Sequence, residues 1–473
     1  MSEEIQNRNS KPGKNILKSR DDPQPVCFEA IDKDKFKLYS DSQCTWLKEE
    51  EEFDPKKLRP RIEPWLTALF QSEHHSLLIG SGLTHSIHWM VAGSSYSGMA
   101  KVQFTVFDTQ ICEAAKATAK KAGRDSANIE DQIRVANELL LGLDHYCSQS
   151  ATFYGSGKLK KQIRVLRENI SKALNDFAAS ILDGERSIVS AIEQKREEAF
   201  GYLVNFLMSF ASRSGTRDRL QVFTTNYDRL IEIGAEVAGL NLLDRFVGNI
   251  SPIFRSSRLN IDMHYNPPGI RGEPRYLEGV ARFTKLHGSV DWIYADHDIR
   301  RFGLPFGADS IEPYLKAPGL SGATAGSLMI YPNSAKDRET VAYPYVELFR
   351  DFAAAVCRPN NILVTYGYSF GDEHINRIIE DMLTIPSTHL VIISYDDPMG
   401  RIMKTYNKVD RPAQTTLLIG NHLGELKALV DHYLPKPAID RTTFRMAELL
   451  KARFGIEQAE KNDKDETVEG EKR

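Results

Sequence analysis

The chain has 473 residues, of which 41% are hydrophobic and 26% charged, and its formal net charge is −3. That length holds two or three domains, or one α/β core with large insertions, and the near-neutral balance excludes the broad basic field that nucleic-acid binding draws on. No apolar run reaches the ~18–20 residues of a membrane helix, the start of the chain has no apolar segment of the secretory kind, and the five cysteines include no Cys-x-x-Cys pair, which argues against both a disulfide framework and a four-cysteine zinc site.

A cytoplasmic protein without metal is therefore expected. Residues 1–58 are rich in Lys, Glu, Asp and Ser and read as a charged extension, an arm or loosely docked segment with a short strand near Phe36–Tyr39. A helix is expected around Pro60–Gln71, with Trp65, Leu66 and Phe70 on one face. The first strong strand signal is Ser76–Ile79, which runs straight into Gly80-Ser81-Gly82. A buried parallel strand meets a phosphate-binding turn in this way.

From about 110 to 213 the pattern is helical, through Ile129, Ile133, Leu139 and Leu143, then Ile163, Leu166, Ile170 and Leu174, then Leu203, Phe206 and Phe210. An insertion of three or four helices is expected there. Strand signals return at Leu220–Thr224, Arg282–Leu286, Leu328–Tyr331, Ile362–Tyr366 and Leu390–Ser394, with helical patterns at Tyr343–Val356 and Asp372–Leu383. This alternation predicts an α/β fold: a doubly wound, mostly parallel, Rossmann-like sheet with a large helical insertion. The core domain is expected over 59–400. A strand at Thr415–Ile419 and helices near Leu423–Tyr433 and Thr442–Phe454 form a segment, 401–456, read as a candidate interface, and 457–473 reads as a charged, disordered tail.

Four strand ends carry polar or glycine-rich motifs. Gly80-Ser81-Gly82-Leu83-Thr84 can bring backbone amides and a helix dipole to a pyrophosphate, or can be a tight strand-to-helix turn; the dinucleotide fingerprint would need a glycine where His85 stands. Thr224-Thr225-Asn226-Tyr227-Asp228 can place an amide and a carboxylate in one crevice, or can start a helix with Thr225 or Asn226 as its cap. Lys285-Leu286-His287-Gly288-Ser289 can project an imidazole as a general base, or can hold a histidine against loop backbone. Gly367-Tyr368-Ser369-Phe370-Gly371-Asp372 can receive a second phosphate or a ribose, or can simply connect a strand to a helix capped by Asp372. His85 and His88 lie three apart on a helix but lack an evident third metal ligand.

In that order and placement, the four motifs resemble the sirtuin superfamily, and more closely the sirtuin-like NAD-cleaving domains of bacterial anti-phage defence systems, over roughly residues 75–400. The resemblance implies that 59–400 is an NAD-binding domain and that NAD is its substrate. Gly80, Ser81, Gly82 and Thr84 would line the phosphates, with Gly367 and Ser369 contacting them from the second turn and Thr225 beside them. Asn226 would orient the attacking nucleophile, Asp228 would shape the nicotinamide end, and His287 would be the catalytic base. Asp396 would reach the adenosine ribose. Three departures stand out: Gly80-Ser81-Gly82 replaces Gly-Ala-Gly, the Phe-Arg segment of deacetylases is replaced by Thr84-His85-Ser86-Ile87-His88-Trp89, and Ser394 stands where an Asn is expected.

The activity so implied is NAD hydrolysis to nicotinamide and ADP-ribose, with an anti-phage effector that depletes cellular NAD when triggered as its setting. An NAD-dependent deacylase and a non-catalytic NAD or ADP-ribose sensor are the alternatives. The resemblance also implies a homo-oligomer and a HerA-like ATPase or helicase partner; this chain has no Gly-x-x-x-x-Gly-Lys-Ser/Thr motif of its own, so an ATPase activity would have to come from another chain. No membrane association and no direct nucleic-acid binding are expected.

Overall fold

Elements are dictated locally before they pack. Lys14–Lys18 (β1), Val26–Asp32 (β2) and Lys35–Leu38 (β3) come first. Helix α1 (Pro55–Phe70) starts where the Asp54 carboxylate accepts from the Lys57 amide and Pro55 takes the first position, where its missing N–H costs nothing. Leu58, Ile62, Leu66 and Leu69 form its buried stripe. Strand β4 (His74–Ile79) runs into α2 (Ser81–Ala92), and four helices follow: α3 (Asp108–Lys121), α4 (Ile129–Gln149), α5 (Ser156–Val189) and α6 (Glu193–Ala211). Strand β5 (Leu220–Thr224) and α7 (Leu230–Val237) lead to short strands β6 (Asn241–Leu243), β7 (Phe246–Val247), β8 (Ile253–Phe254), β9 (His264–Tyr265) and β10 (Arg275–Tyr276). Then come β11 (Val280–Lys285), β12 (Gly288–Ala295), β13 (Asp298–Arg301) and β14 (Leu328–Ile330). The remainder alternates α8 (Tyr345–Val356), β15 (Asn361–Tyr366), α9 (Glu373–Met382), β16 (His389–Ser394), α10 (Arg401–Val409) and β17 (Thr415–Ile419). This computed structural model describes residues 14–19, 22–40, 42–48, 51–94, 102–121, 126–149, 156–213, 217–257, 261–265, 275–324, 327–330 and 343–436.

The main sheet has ten strands in the order β3-β2-β1-β17-β16-β15-β4-β5-β11-β6. The seven from β17 to β6 are parallel. Their central members are buried on both faces, as helix-covered parallel strands must be. Leu77, Ile79, Val222 and Val364 join α1, α2 and α6 in one core, and the alternating residues Leu78, Phe223, Leu363 and Ile392 join α8 and α9 in the other. The chain leaves β4 first toward β5 and returns to β15 on its opposite side, which places a topological switch point between β4 and β15. The doubly wound α/β expectation is met, and the insertion consists of α3 to α6.

Two details differ from the sequence reading. The described part of the charged extension is no loose arm: β1 pairs antiparallel with β17, and β2 and β3 carry the sheet outward. Asn15 accepts from the His422 amide at 3.1 Å, and the buried Lys18 ammonium donates to the Thr415 carbonyl at 3.1 Å. Second, Leu328–Ile330 is a strand, but it belongs to a separate five-stranded antiparallel sheet, β14-β12-β13-β8-β7, whose members other than the eight-residue β12 have two to four residues and are too short to show a period. The helix expected at Thr442–Phe454 and the tail at 457–473 lie outside the described residues. Among the described residues no helix is long and apolar enough to cross a membrane.

Leu17 is fully buried and joins the same core as Leu77 and Val391. Leu17→Ala should therefore cost about 2–5 kcal/mol in urea denaturation, as a core truncation does, whereas a shift below about 0.5 kcal/mol, the surface-substitution range, would show that β1 is peripheral.

Candidate functional site

Register brings the motifs together. Tyr366 pairs with Ile79, Ile79 with Thr224, and Thr224 with Lys285, so four adjacent parallel strands end on one line. Gly80, Asn226, His287 and Gly367 each lie one or two residues beyond that line, at the carboxyl edge where open α/β sheets bind ligands.

The two glycine turns touch through backbone. The Gly80 amide donates to the Tyr366 carbonyl at 3.0 Å and the Gly82 amide to the Gly367 carbonyl at 3.1 Å. A Cβ on Gly82 would lie 2.5 Å from the Gly367 Cα. Gly367 itself has φ of 60°, a left-handed conformation that glycine adopts without strain. With those two amides engaged, the first turn offers an anion the exposed Ser81 amide and the positive end of α2.

Asn226 is buried and held at three points. Its amide nitrogen Nδ2 donates to the Gly80 carbonyl at 3.0 Å and to the Thr84 hydroxyl at 3.1 Å, and its backbone N–H donates to the Thr224 hydroxyl at 3.0 Å. A carbonyl can only accept, so the Gly80 bond fixes which end of the carboxamide is nitrogen. Asn226 Oδ1 is the atom left to face a ligand. The Thr84 hydroxyl in turn donates to Asp228 Oδ2 at 2.7 Å, while Asp228 Oδ1 accepts from the Leu230 amide at 3.1 Å at the start of α7. Asp228 thus serves the helix start and the polar chain together, whereas the helix expected to be capped by Thr225 or Asn226 begins only at Leu230, with Arg229 before it. Thr225 continues the β5 edge, with its amide donating to the Ile79 carbonyl at 3.3 Å.

His287 is buried, and its Nε2 lies 3.8 Å from Asp372 Oδ2. The rings of Tyr227, His374 and Phe349 surround it at centroid distances of 6.3, 5.9 and 6.5 Å. The Val290 amide donates to the Tyr227 carbonyl at 3.0 Å and the Leu286 amide to the Thr224 carbonyl at 2.8 Å, which ties the His287 loop to the Asn226 loop on both sides. Beneath them the buried Lys285 ammonium donates to the Asp228 carbonyl and pairs with Glu232 at 2.8 Å. Burial, reinforced by Asp291 and opposed by Lys285, pushes the Glu232 carboxyl up to about 7.

Three groups near the site carried weak sequence signals. Asp372, read only as a cap, faces His287. Arg401 opens α10, against the helix dipole, and a Cβ on Gly371 would lie 3.1 Å from its Nη1 and 3.4 Å from the Ser369 hydroxyl. A cation in that unfavourable position is the signal that could have singled it out. His85 feels both Asp228 and Asp396, while burial holds its imidazole below the usual histidine range. Burial raises Asp396 above the usual carboxylate range, and His85 offsets part of that. His88 is occupied elsewhere, with Nε2 2.7 Å from the Ser187 hydroxyl on α5. Ser394 donates to the Asp396 carbonyl at 2.7 Å. Among the described residues no cluster of three or more His, Cys, Asp and Glu side chains could hold a metal ion.

The edge carrying Asn226, His287 and the second glycine turn has a counterpart among known families. Residues 220–411 match the family model described as a SIR2-like domain. That SIR2-like segment runs from β5 through α10 and contains Asn226, Asp228, His287, Gly367, Ser369 and Asp396. The first glycine turn and the helical insertion precede it. A comparison with curated proteins finds no match.

Gly82→Ala should destabilise the fold by about 1–3 kcal/mol, since the added methyl meets backbone that cannot rotate away. Gly201→Ala on α6, where a Cβ meets open space, should be neutral or slightly stabilising. Equal thermal midpoints for the two variants would remove the close contact from the account. Glu232 gives a pH signature. Its folded pKa of about 7 exceeds the ordinary glutamate value of 4.5, so its stabilising contribution is complete below pH 4.5 and is lost as pH rises to about 7. Glu232→Gln should flatten that decline by at most about 3 kcal/mol, read as the difference between wild-type and variant urea midpoints across the window; a constant difference from pH 4.5 to 8 refutes the shift.

Proposed function

We propose that the chain is an NAD glycohydrolase that cleaves NAD to nicotinamide and ADP-ribose. The reading rests on one observation: Asn226 and His287 leave adjacent parallel strands at the same height, with Asn226 bonded to the Gly80 carbonyl of the first glycine turn. The SIR2-like match over the later part of the site supports the same chemistry.

The reaction breaks the bond between nicotinamide nitrogen and ribose C1′. Nicotinamide leaves as a neutral ring with the bonding pair, and the ribose carbon gains oxocarbenium character as in glycoside hydrolysis. Water supplies the new C–O bond. Asn226 Oδ1 is the acceptor that would orient that water, its own amide nitrogen being fully committed. His287 would take the water's proton, with Asp372 close enough to favour the imidazolium that results. Asp228, anchored by Thr84, adds negative field on the nicotinamide side. The Ser81 amide, Ser369 and Arg401 would hold the pyrophosphate, in the room that Gly80, Gly82 and Gly367 leave for its close approach. Thr225 and Asp396 would bound the two ribose ends. A setting in anti-phage defence, with activity withheld until triggered, a homo-oligomeric state and a HerA-like ATPase or helicase partner, belongs to the same proposal, as does a cytoplasmic location.

Purified protein is incubated with NAD, alone and with cell extract, and nicotinamide and ADP-ribose are separated by chromatography. Wild type should release both in equal amounts, and Asn226→Ala and His287→Ala should each lower the rate about 100-fold or more while remaining folded by circular dichroism. Wild-type turnover retained in both variants would refute the assignment, as would intact NAD under every condition. Preferential formation of O-acyl-ADP-ribose from an added acetyl-lysine peptide would replace hydrolysis with deacylation.

A further inference from the structure

The four residues that follow Thr225 divide between two sides of their loop. Asn226 and Asp228 reach toward the first glycine turn, where both bond the Thr84 hydroxyl. Tyr227 and Arg229 reach the other way, into the helical insertion. The buried Tyr227 ring shares the core of that insertion with Ile133, Phe177 and Ile181, and it meets the Phe177 ring edge-on at 5.6 Å. Its hydroxyl donates to Glu130 on α4 at 3.3 Å.

Arg229 is held by the buried Glu185 on α5. Glu185 Oε1 accepts from the Arg229 backbone amide at 3.0 Å and from its Nε at 3.1 Å, and Oε2 accepts from its Nη2 at 2.5 Å and from the Gly307 amide at 3.3 Å. The guanidinium donates onward to the Pro305 and Leu304 carbonyls. One carboxylate therefore joins three segments: α5, the loop between β5 and α7, and the loop that follows β13. A side-chain fork would suffice to dock two elements. Here the carboxylate also takes a backbone amide, one residue after Asp228. The amides of Arg229 and Leu230 at the start of α7 are thus divided, the first going to Glu185 and the second to Asp228 Oδ1. Both Glu130 and Glu185 lie outside residues 220–411, so the SIR2-like segment is backed from beyond its own limits.

We propose that Glu185 is a positioning residue for NAD cleavage: from the helical insertion it fixes the backbone at Arg229, and so sets where Asn226 Oδ1 and Asp228 stand against the ribose. The proposal rests on the NAD reading above. Glu185 acts through Arg229 and contributes nothing to the cradle for the pyrophosphate. Its effect therefore falls on the rate of bond cleavage, which depends steeply on how the reacting groups are placed, rather than on the affinity for NAD.

Wild type, Glu185→Gln, Glu185→Asp and Leu17→Ala are compared as full chains under the condition in which wild type cleaves NAD. Glu185→Gln keeps the shape and loses the charge, and Glu185→Asp keeps the charge and loses the reach. Leu17→Ala is the stability control, because β17, β16, β15 and β4 separate β1 from β5. Each Glu185 variant should lower kcat about tenfold with KM within about twofold of wild type. Each should also speed amide hydrogen exchange over residues 225–230 about tenfold relative to strand β15, which reports global opening. Leu17→Ala should keep the kcat of wild type. If one Glu185 variant does not fold by circular dichroism, the other carries both readings. A kcat within about twofold of wild type, a change confined to KM, or an equal loss of kcat in Leu17→Ala overturns the proposal. Wild type that cleaves no NAD under any condition refutes the NAD reading instead; exchange then judges the clamp alone, and unchanged protection over 225–230 overturns it.

Discussion

The two glycine turns meet backbone against backbone. The turn after β4 rests on the turn after β15, and two amides of the first turn are spent on carbonyls of the second. Side chains cannot mediate so short a separation, and Gly82 and Gly367 provide the room. The contact closes the switch point of the sheet at one height and fixes the start of α2. Thr84 then stands within reach of Asn226 and Asp228, and the polar chain from the Gly80 carbonyl to the first amide of α7 follows. The electrostatic features of the site are consequences of this packing.

A second set of constraints fastens the small antiparallel sheet to the main one. Arg229 and Glu185 link α7 to the helical insertion, and Arg245 and Asp351 link the short strands to α8 at 2.6 Å, all of them buried. Buried ion pairs contribute little net stability after desolvation, but breaking one leaves an uncompensated charge. They select one docking geometry over its neighbours. That selection matters because His287 sits at the junction, between the last strand of the SIR2-like edge and the first long strand of the small sheet.

Much of this was legible in the sequence where a short apolar run meets a glycine or polar cluster. Ser76–Ile79, Leu220–Thr224, Ile362–Tyr366 and Leu390–Ser394 all became parallel strands because burial on both faces favours near-continuous apolar runs. The convergence of Asn226 on the first glycine turn followed from strand order. What the sequence hid has two physical origins. In β1 the polar residues Asn15 and Lys18 are buried through bonds to backbone more than 390 residues away, so local composition suggested a surface segment. In the small sheet, two-residue strands carry no periodicity, and a strand such as Leu328–Ile330 does not declare which sheet it will join. Asp372 and Arg401 were obscured because each also occupies a helix start, a role sufficient to account for the first of them.

The pairing of β1 with β17 has a consequence for synthesis. Residues 14–18 leave the ribosome long before residues 415–419, yet their partner strand is the last of the sheet. The first three strands can pair among themselves as soon as they emerge, but their inner edge stays open until β17 emerges. The nascent chain thus completes its sheet from the middle outward and seals it with its oldest segment, so a truncated translation product ending before β17 would expose an unpaired strand at each side of the gap.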